Sequence, residues 1–208
     1  MISFQYFSDL HLERYIGTGI PKINQIADNL ILAGDIGHPT TKIYNEFFHT
    51  YSKKYNNIYL VHGNHEINYM MNPKNIIFPQ NVHVLNNDYI IYENKILIAG
   101  SILWTPIVNR TEFDKSMKFF SDMLKKEYQK KIFISHHLPS YQLIVKKYQK
   151  WKTIDRYANN LEYIMNSDRS PQFWICGHSH CIIRKKINRT MCCINTFGTK
   201  YDTLIKIH

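Results

Sequence analysis

Short blocks rich in β-branched and aromatic residues recur along this chain, separated by polar and glycine-containing segments. They predict strands at Ile2–Phe7, Leu30–Ala33, Ile58–Val61, Val82–Leu85, Tyr89–Tyr92 and Ile96–Ala99. More are predicted at Ile132–Ser135, Phe173–Cys176, Ile182–Ile187, Met191–Asn195 and Thr203–Ile207. Helical periodicity predicts helices over Thr41–Tyr55 and Phe113–Lys130, with a shorter one over Asn159–Asn166. In the second, Phe113, Met117, Phe120, Met123 and Leu124 share a face opposite lysines. The first third alternates strand, loop and helix, as in a mixed α/β domain. Two sheets packed face to face, with helices on their outer sides, accommodate this order best.

The ends of these strands carry five clusters of metal-binding side chains: Asp9-Leu10-His11, Gly34-Asp35, Gly63-Asn64-His65-Glu66, Ser135-His136-His137 and Gly177-His178-Ser179-His180. In layered α/β folds, ligands gather in loops beyond the carboxyl ends of strands. Five strands delivering such loops to one rim is an arrangement that scattered His and Asp residues do not produce. Glycine beside the ligand in three clusters suits a tight strand-to-site turn. The seven candidate ligands are Asp9, His11, Asp35, Asn64, His136, His178 and His180. That number matches two divalent ions sharing a bridging carboxylate, with water and substrate oxygens filling the other positions.

Composition narrows the setting. The 208 residues are most simply one domain (1–208), with 44% apolar and 14% aromatic residues as in a globular protein. The four cysteines, Cys176, Cys181, Cys192 and Cys193, are too few and too clustered for a disulfide scaffold. They read as reduced thiols, and a zinc site from Cys176 and Cys181 lacks a second spaced pair. No signal-peptide pattern precedes Asp9, and no apolar run reaches the ~20 residues a membrane span needs, so a soluble cytoplasmic protein is expected. The net charge of +10 favours polyanionic partners, but lysine supplies 20 of the 26 basic residues. Arginine forks, the more specific phosphate readers, are few.

The ordered motifs D-x-H, GD, GNHE, HH-x-P and GHSH resemble those of the calcineurin-like metallophosphoesterase superfamily. Ser8–Glu13, Leu103-Trp104-Thr105, Ser135–Ser140 and Trp174–His180 also resemble a subgroup of small, single-domain phosphoesterases. The resemblance implies a four-layer α-β-β-α sandwich, two mixed sheets flanked by helices, with a binuclear metal site at one edge. By the same resemblance, Asp9, His11, Asp35 and His180 hold the first metal. Asp35 bridges to the second, held also by Asn64, His136 and His178. His65 matches the family's catalytic histidine, and His137 lies behind the ligands or toward substrate. The late Asn195–Thr199 matches the subgroup's ending only loosely.

The chemistry of such a site is coherent in itself. Two divalent ions carry +4 against −2 from Asp9 and Asp35, so about two positive charges remain to attract a phosphate ester and its transition state. The expected reaction is hydrolysis of phosphomonoesters or phosphodiesters by in-line attack of a metal-bridging hydroxide, with His65 protonating the leaving alkoxide. Nitrogen and oxygen ligands without sulfur favour Mn²⁺, with Fe, Zn²⁺ or Mg²⁺ as alternatives. His49, His83 and His208 read as incidental, His62 as packed, and Glu66 as an acidic residue at a helix start.

The substrate side is less determined. His38, His137, Lys150 and Arg156 are candidate substrate-facing residues. The run Lys146-Lys147-Tyr148-Gln149-Lys150-Trp151-Lys152 either borders the pocket, holding phosphates and stacking bases, or packs its aromatics inward. A small-molecule phosphate ester is the leading partner. The alternatives are a metal-dependent nuclease on DNA or RNA and a non-catalytic protein-binding scaffold of the same fold. No membrane partner is expected.

Overall fold

A computed structural model describes residues 2–69, 76–197 and 204–207. Eleven strands form two sheets among these residues. The first has order β11-β1-β2-β3-β4, with β1 (Ile2–Phe7), β2 (Asn29–Ala33), β3 (Asn57–Val61) and β4 (Val82–Val84) parallel. β11 (Leu204–Ile207) runs antiparallel to β1 at the edge. The second has order β5-β6-β7-β8-β10-β9. Here β6 (Ile96–Ser101), β7 (Lys130–Ser135), β8 (Phe173–Cys176) and β10 (Thr190–Asn195) are parallel, flanked by antiparallel β5 (Asp88–Tyr92) and β9 (Ile182–Ile187).

Side-chain alternation explains the layering. In β2, Ile31 and Ala33 face the second sheet, where they meet Ile98, Ile132, Ile134 and Ile175. Leu30 and Leu32 face α1 (Lys42–Tyr51). Both faces are therefore buried, as expected of central parallel strands. Helix α1 closes the first sheet with Tyr44, Phe47, Phe48 and Tyr51, spaced to share one face. On the far side, α3 (Arg110–Lys125) lays Phe120 and Met123 against Phe133 and Trp174 of the second sheet. The result is the expected four layers.

Three helix boundaries differ from the sequence expectation. Helix α1 stops at Tyr51 rather than Tyr55, because Tyr55 turns inward and donates its hydroxyl to Gln5 Oε1 at 2.7 Å. Helix α3 starts at Arg110, where the Asn109 side chain accepts from the Glu112 N–H, and it ends at Lys125 rather than Lys130. Lys130 and Lys131 belong to β7, and the Lys131 ammonium caps the helix end by donating to the Leu124 carbonyl at 2.7 Å. No α-helix forms over Asn159–Asn166. The Asn159 N–H instead bonds the Leu138 carbonyl, Asn160 bridges to Ser140, and only a 3-10 turn, Glu162–Met165, follows. Gly198, Thr199, Thr203 and His208 lie outside the described residues.

Candidate metal centre

The loops after β1, β2, β3, β7 and β8 meet at one rim, across the ends of both sheets. Asp9, His11, Asp35, His178 and His180 all adopt left-handed backbone conformations, with φ between 48° and 66°. For non-glycine residues this costs about 1–2 kcal/mol each, so the concentration marks a place where side-chain direction outweighs backbone preference. Two glycines let the loops close. At Gly34, φ +83°, a Cβ would strike the His136 ring, and at Gly63 it would run into Asp35 Oδ1.

Three groups of donors result among the described residues, one of them (His11, Glu13 and His65) sharing His11 with the first of the two made up of predicted ligands. Of those two, Asp9, His11 and His180 form the first; Asp35, His136 and His178 form the other, with donor atoms within 4.8 Å of one another in each. His136 Nε2 lies 3.1 Å from His178 Nδ1, 3.0 Å from Asn64 Oδ1 and 3.3 Å from Asp35 Oδ2. In the other group, His180 Nε2 is 3.6 Å from Asp9 Oδ1. Separations near 3.0–3.6 Å are those of neighbouring ligands around an ion with bonds of about 2.0–2.2 Å. His11 Nε2 is buried with no hydrogen-bond partner, while its Nδ1 is taken by Glu13 Oε1 at 3.0 Å. A carboxylate behind a histidine whose other nitrogen is unused is the usual support of a metal ligand. The residues present thus fit a divalent ion at each of the two groups of predicted ligands.

Charge follows the same layout. Burial works against the charged forms of Asp35 and His136, but their attraction overrides it. The Asp35 carboxyl stays well below the usual carboxylate range, and His136 rises to about 9. Burial, then the charge on His136, pushes His137 down to about 3. His178 is likewise held low by burial and its histidine neighbours. His65 sits beside this centre, outside the two groups of predicted ligands but within 4.8 Å of donor atoms of His11 and Glu13. Its ring lies 4.6 Å from that of His11, with Nε2 3.9 Å from Asp35 Oδ2 and Nδ1 3.7 Å from Glu13 Oε1.

Two carboxylates support the centre in ways the sequence pattern does not predict. Glu66 does not simply charge the start of α2 (Asn64–Tyr69). It is wholly buried and accepts four backbone N–H groups, from Asp35, Ile36, Gly37 and Gly63, at 2.5–3.1 Å. Burial and the Asp35 carboxylate push it up to about 7, against donors that favour the anion. Glu13 was visible only as part of a motif. Its place two residues after a ligand histidine was the available signal.

The remaining candidates separate clearly. His137 is buried behind His178, ring centroids 4.3 Å apart, and packs against Trp104, so it supports the site rather than facing the cleft. His38 is half-buried on the loop after Asp35. Lys150 and Arg156 are exposed beside, but not lining, a cleft of about 210 Å³ that opens onto His178 and His180. The same cleft is walled by Tyr148, Trp151 and Tyr157, so the aromatics of the basic run border the site, with Tyr148 also packed against the core of the second sheet. His49 is exposed on α1, His83 bonds Asn57, and burial pushes His62 down to about 4. The four cysteines are free.

A family model described as calcineurin-like phosphoesterase matches residues 5–181. The chain belongs to that family. It is 26% identical to an uncharacterized protein, L509, of Acanthamoeba polyphaga mimivirus over an alignment 262 residues long with its gaps, covering 95% of this chain and 91% of that one. Among solved structures it resembles the phosphopantetheinyl hydrolase of Mycobacterium tuberculosis, with a TM-score of 0.64 at 12% identity, covering 94% of this chain and 89% of the other. It also resembles a putative 5'-nucleotidase from Staphylococcus aureus, with a TM-score of 0.56 at 14% identity, over 98% of this chain and 49% of that one. At these identities the solved structures establish the fold. Membership of the calcineurin-like family supports a metal-dependent hydrolase of phosphate esters. Among the described residues, no helix is long and apolar enough to cross a membrane.

Proposed function

We propose that this calcineurin-like protein is a single-domain, cytoplasmic, two-metal phosphohydrolase acting on small phosphomonoesters or phosphodiesters. Asp9, His11 and His180 hold one ion. Asn64, His136 and His178 hold the other, with Asp35 shared and Mn²⁺ the preferred metal. The observation that carries this reading is the meeting of the two donor groups at one rim, beside an accessible histidine. When bound, two such ions polarise the phosphoryl oxygens and lower the pKa of water from 15.7 toward ~7.

The chain's own residues do the rest. His65, 36% exposed at its side chain, can reach a substrate while the ligand histidines are committed. Its Nε2 proton goes to the departing alkoxide, which would otherwise leave as a strong base. Glu13 orients His11 through a 3.0 Å hydrogen bond to its Oε1, and the same oxygen lies 3.7 Å from His65 Nδ1, an electrostatic contact. Glu66 fixes the loops bearing Asp35 and His65 relative to each other.

The test is hydrolysis of nitrophenyl mono- and diesters by metal-stripped protein, with and without Mn²⁺. Restored turnover is expected, and the mono-to-diester ratio then directs the substrate search. Asp35→Asn should lose both metal and turnover, whereas His65→Ala should keep its metal and lose about 10²–10⁴-fold in kcat. Equal metal loss in both variants by elemental analysis would contradict these roles.

A further inference from the structure

The cleft beside the metal centre is continuous with it. Its floor is His178, Ser179 and His180, and its walls are Tyr148, Trp151 and Tyr157, with Ile144 and Ile154 completing an apolar lining. Whatever fills it is therefore attached to, or immediately beside, a phosphate held at the centre. The walls are predominantly flat rings. Tyr148 and Trp151 meet at 4.5 Å and 56°, and Tyr157 covers His178 at 4.9 Å and 32°. Trp151 is 50% exposed, an unusual position for the largest apolar side chain and one that leaves its face open to a ligand. At about 210 Å³ the space is below the ~300 Å³ of a typical small-molecule pocket, enough for one ring system but not a long folded chain. Lys147 stands over the Tyr148 ring at 4.5 Å, and Lys146, Lys150 and Lys152 are exposed on the same segment, so the surroundings favour an anionic ligand.

We propose that this cleft is a ring-binding subsite, and that the substrates are small phosphoesters whose alcohol portion carries a planar aromatic base, the nucleotide class. The proposal rests on the phosphohydrolase reading of the adjoining centre. The phosphate is held at the metal-ligand side, and the ring enters between Trp151 and Tyr157. An aliphatic alcohol of the same reactivity fills the cleft without stacking.

The deciding comparison is adenosine 5'-monophosphate with ribose 5-phosphate, and the methyl diester of each, on Mn²⁺-loaded protein. Each pair shares one primary alkoxide leaving group and differs only in the base. The base-bearing member should show kcat/KM higher by about 5- to 150-fold, the range one stacked base contributes. Trp151→Ala should collapse that ratio, and Trp151→Phe should retain most of it. Independently of turnover, adenosine 5'-monophosphate but not ribose 5-phosphate should quench tryptophan fluorescence, and Trp151→Phe should abolish the quench. Equal kcat/KM within a pair overturns the subsite while leaving the phosphohydrolase reading intact. If neither member is hydrolysed, the quench alone decides: its presence upholds the subsite, and its absence overturns it. A strong preference for single-stranded oligonucleotides over the mononucleotide replaces the small-ester subsite with a nucleic-acid groove.

Discussion

Replacing Glu66 by glutamine probes the most concentrated polar interaction outside the metal ligands. Its Oε2 accepts from Asp35 and Gly63, and its Oε1 from Ile36 and Gly37, with no solvent exposure. Glutamine keeps the shape but offers one acceptor oxygen. Whichever way the amide points, two backbone N–H groups then face an NH₂. Each buried unsatisfied donor costs about 1–3 kcal/mol, so Glu66→Gln should lose about 2–6 kcal/mol. Relief from burying a charge opposes this, since burial and Asp35 push the carboxyl up to about 7. Urea unfolding of the metal-stripped protein at pH 8, where the carboxylate is ionised, weighs the two effects. With m near 2 kcal/mol/M, the midpoint should fall by roughly 1–3 M. A glutamine variant as stable as the parent would refute the reasoning, because it would mean that relief of the burial penalty fully offsets the two unsatisfied N–H donors.

Glu13→Gln should weaken metal binding by about 10- to 100-fold while leaving the unfolding midpoint of the stripped protein nearly unchanged, since Glu13 orients His11 without filling the core. Unchanged affinity in a metal titration would remove Glu13 from the centre. The His136–Asp35 pair gives a pH dependence with a defined sign. His136 is raised from 6.5 to about 9, so its contribution to the stripped protein is complete below about pH 6.5 and is lost as pH rises through 9. The Tm of stripped protein should fall across that window and that of Mn²⁺-loaded protein much less, because bound His136 is already neutral. A flat Tm profile in the stripped protein would count against the pair.

The strands were legible because their signal is local. In β2 and β7, burial on both faces demands unbroken apolar runs, and turn residues bracket them. The ligand clusters were legible for the same reason, each being a short word at a strand end. What stayed hidden depends on distant partners. The end of α3 is decided by Lys131 reaching back to the Leu124 carbonyl, and the segment after Ala158 by its pairing with Leu138 and Ser140. No periodicity records either contact. Glu66 looked like a helix-start acid because the four N–H groups it collects come from two loops, three of them about thirty residues upstream. The aromatic cleft was ambiguous because interleaved lysines and rings read alike on a core-facing helix and on a pocket wall.

The candidate ligands are divided between the two sheets: Asp9, His11, Asp35 and Asn64 follow strands of the first, and His136, His178 and His180 follow strands of the second. Polar contacts already join these halves at the rim, among them His136 Nδ1 with the Ala33 carbonyl at 3.0 Å, the His178 N–H with Asp9, and backbone bonds of Ser8 with Asn195 and Phe197. An ion held by the proposed ligands of both halves would act as a further rivet through that end of the sandwich. Its binding free energy opposes separation of the sheets there and adds little at the opposite end. Because binding to the native state stabilises it as RT ln(1 + [L]/Kd), metal at 100 times Kd adds about 2.7 kcal/mol to global stability. Local protection should rise most at the carboxyl ends of β2 and β8. Metal scarcity would then loosen one end of the sandwich before it unfolds the molecule.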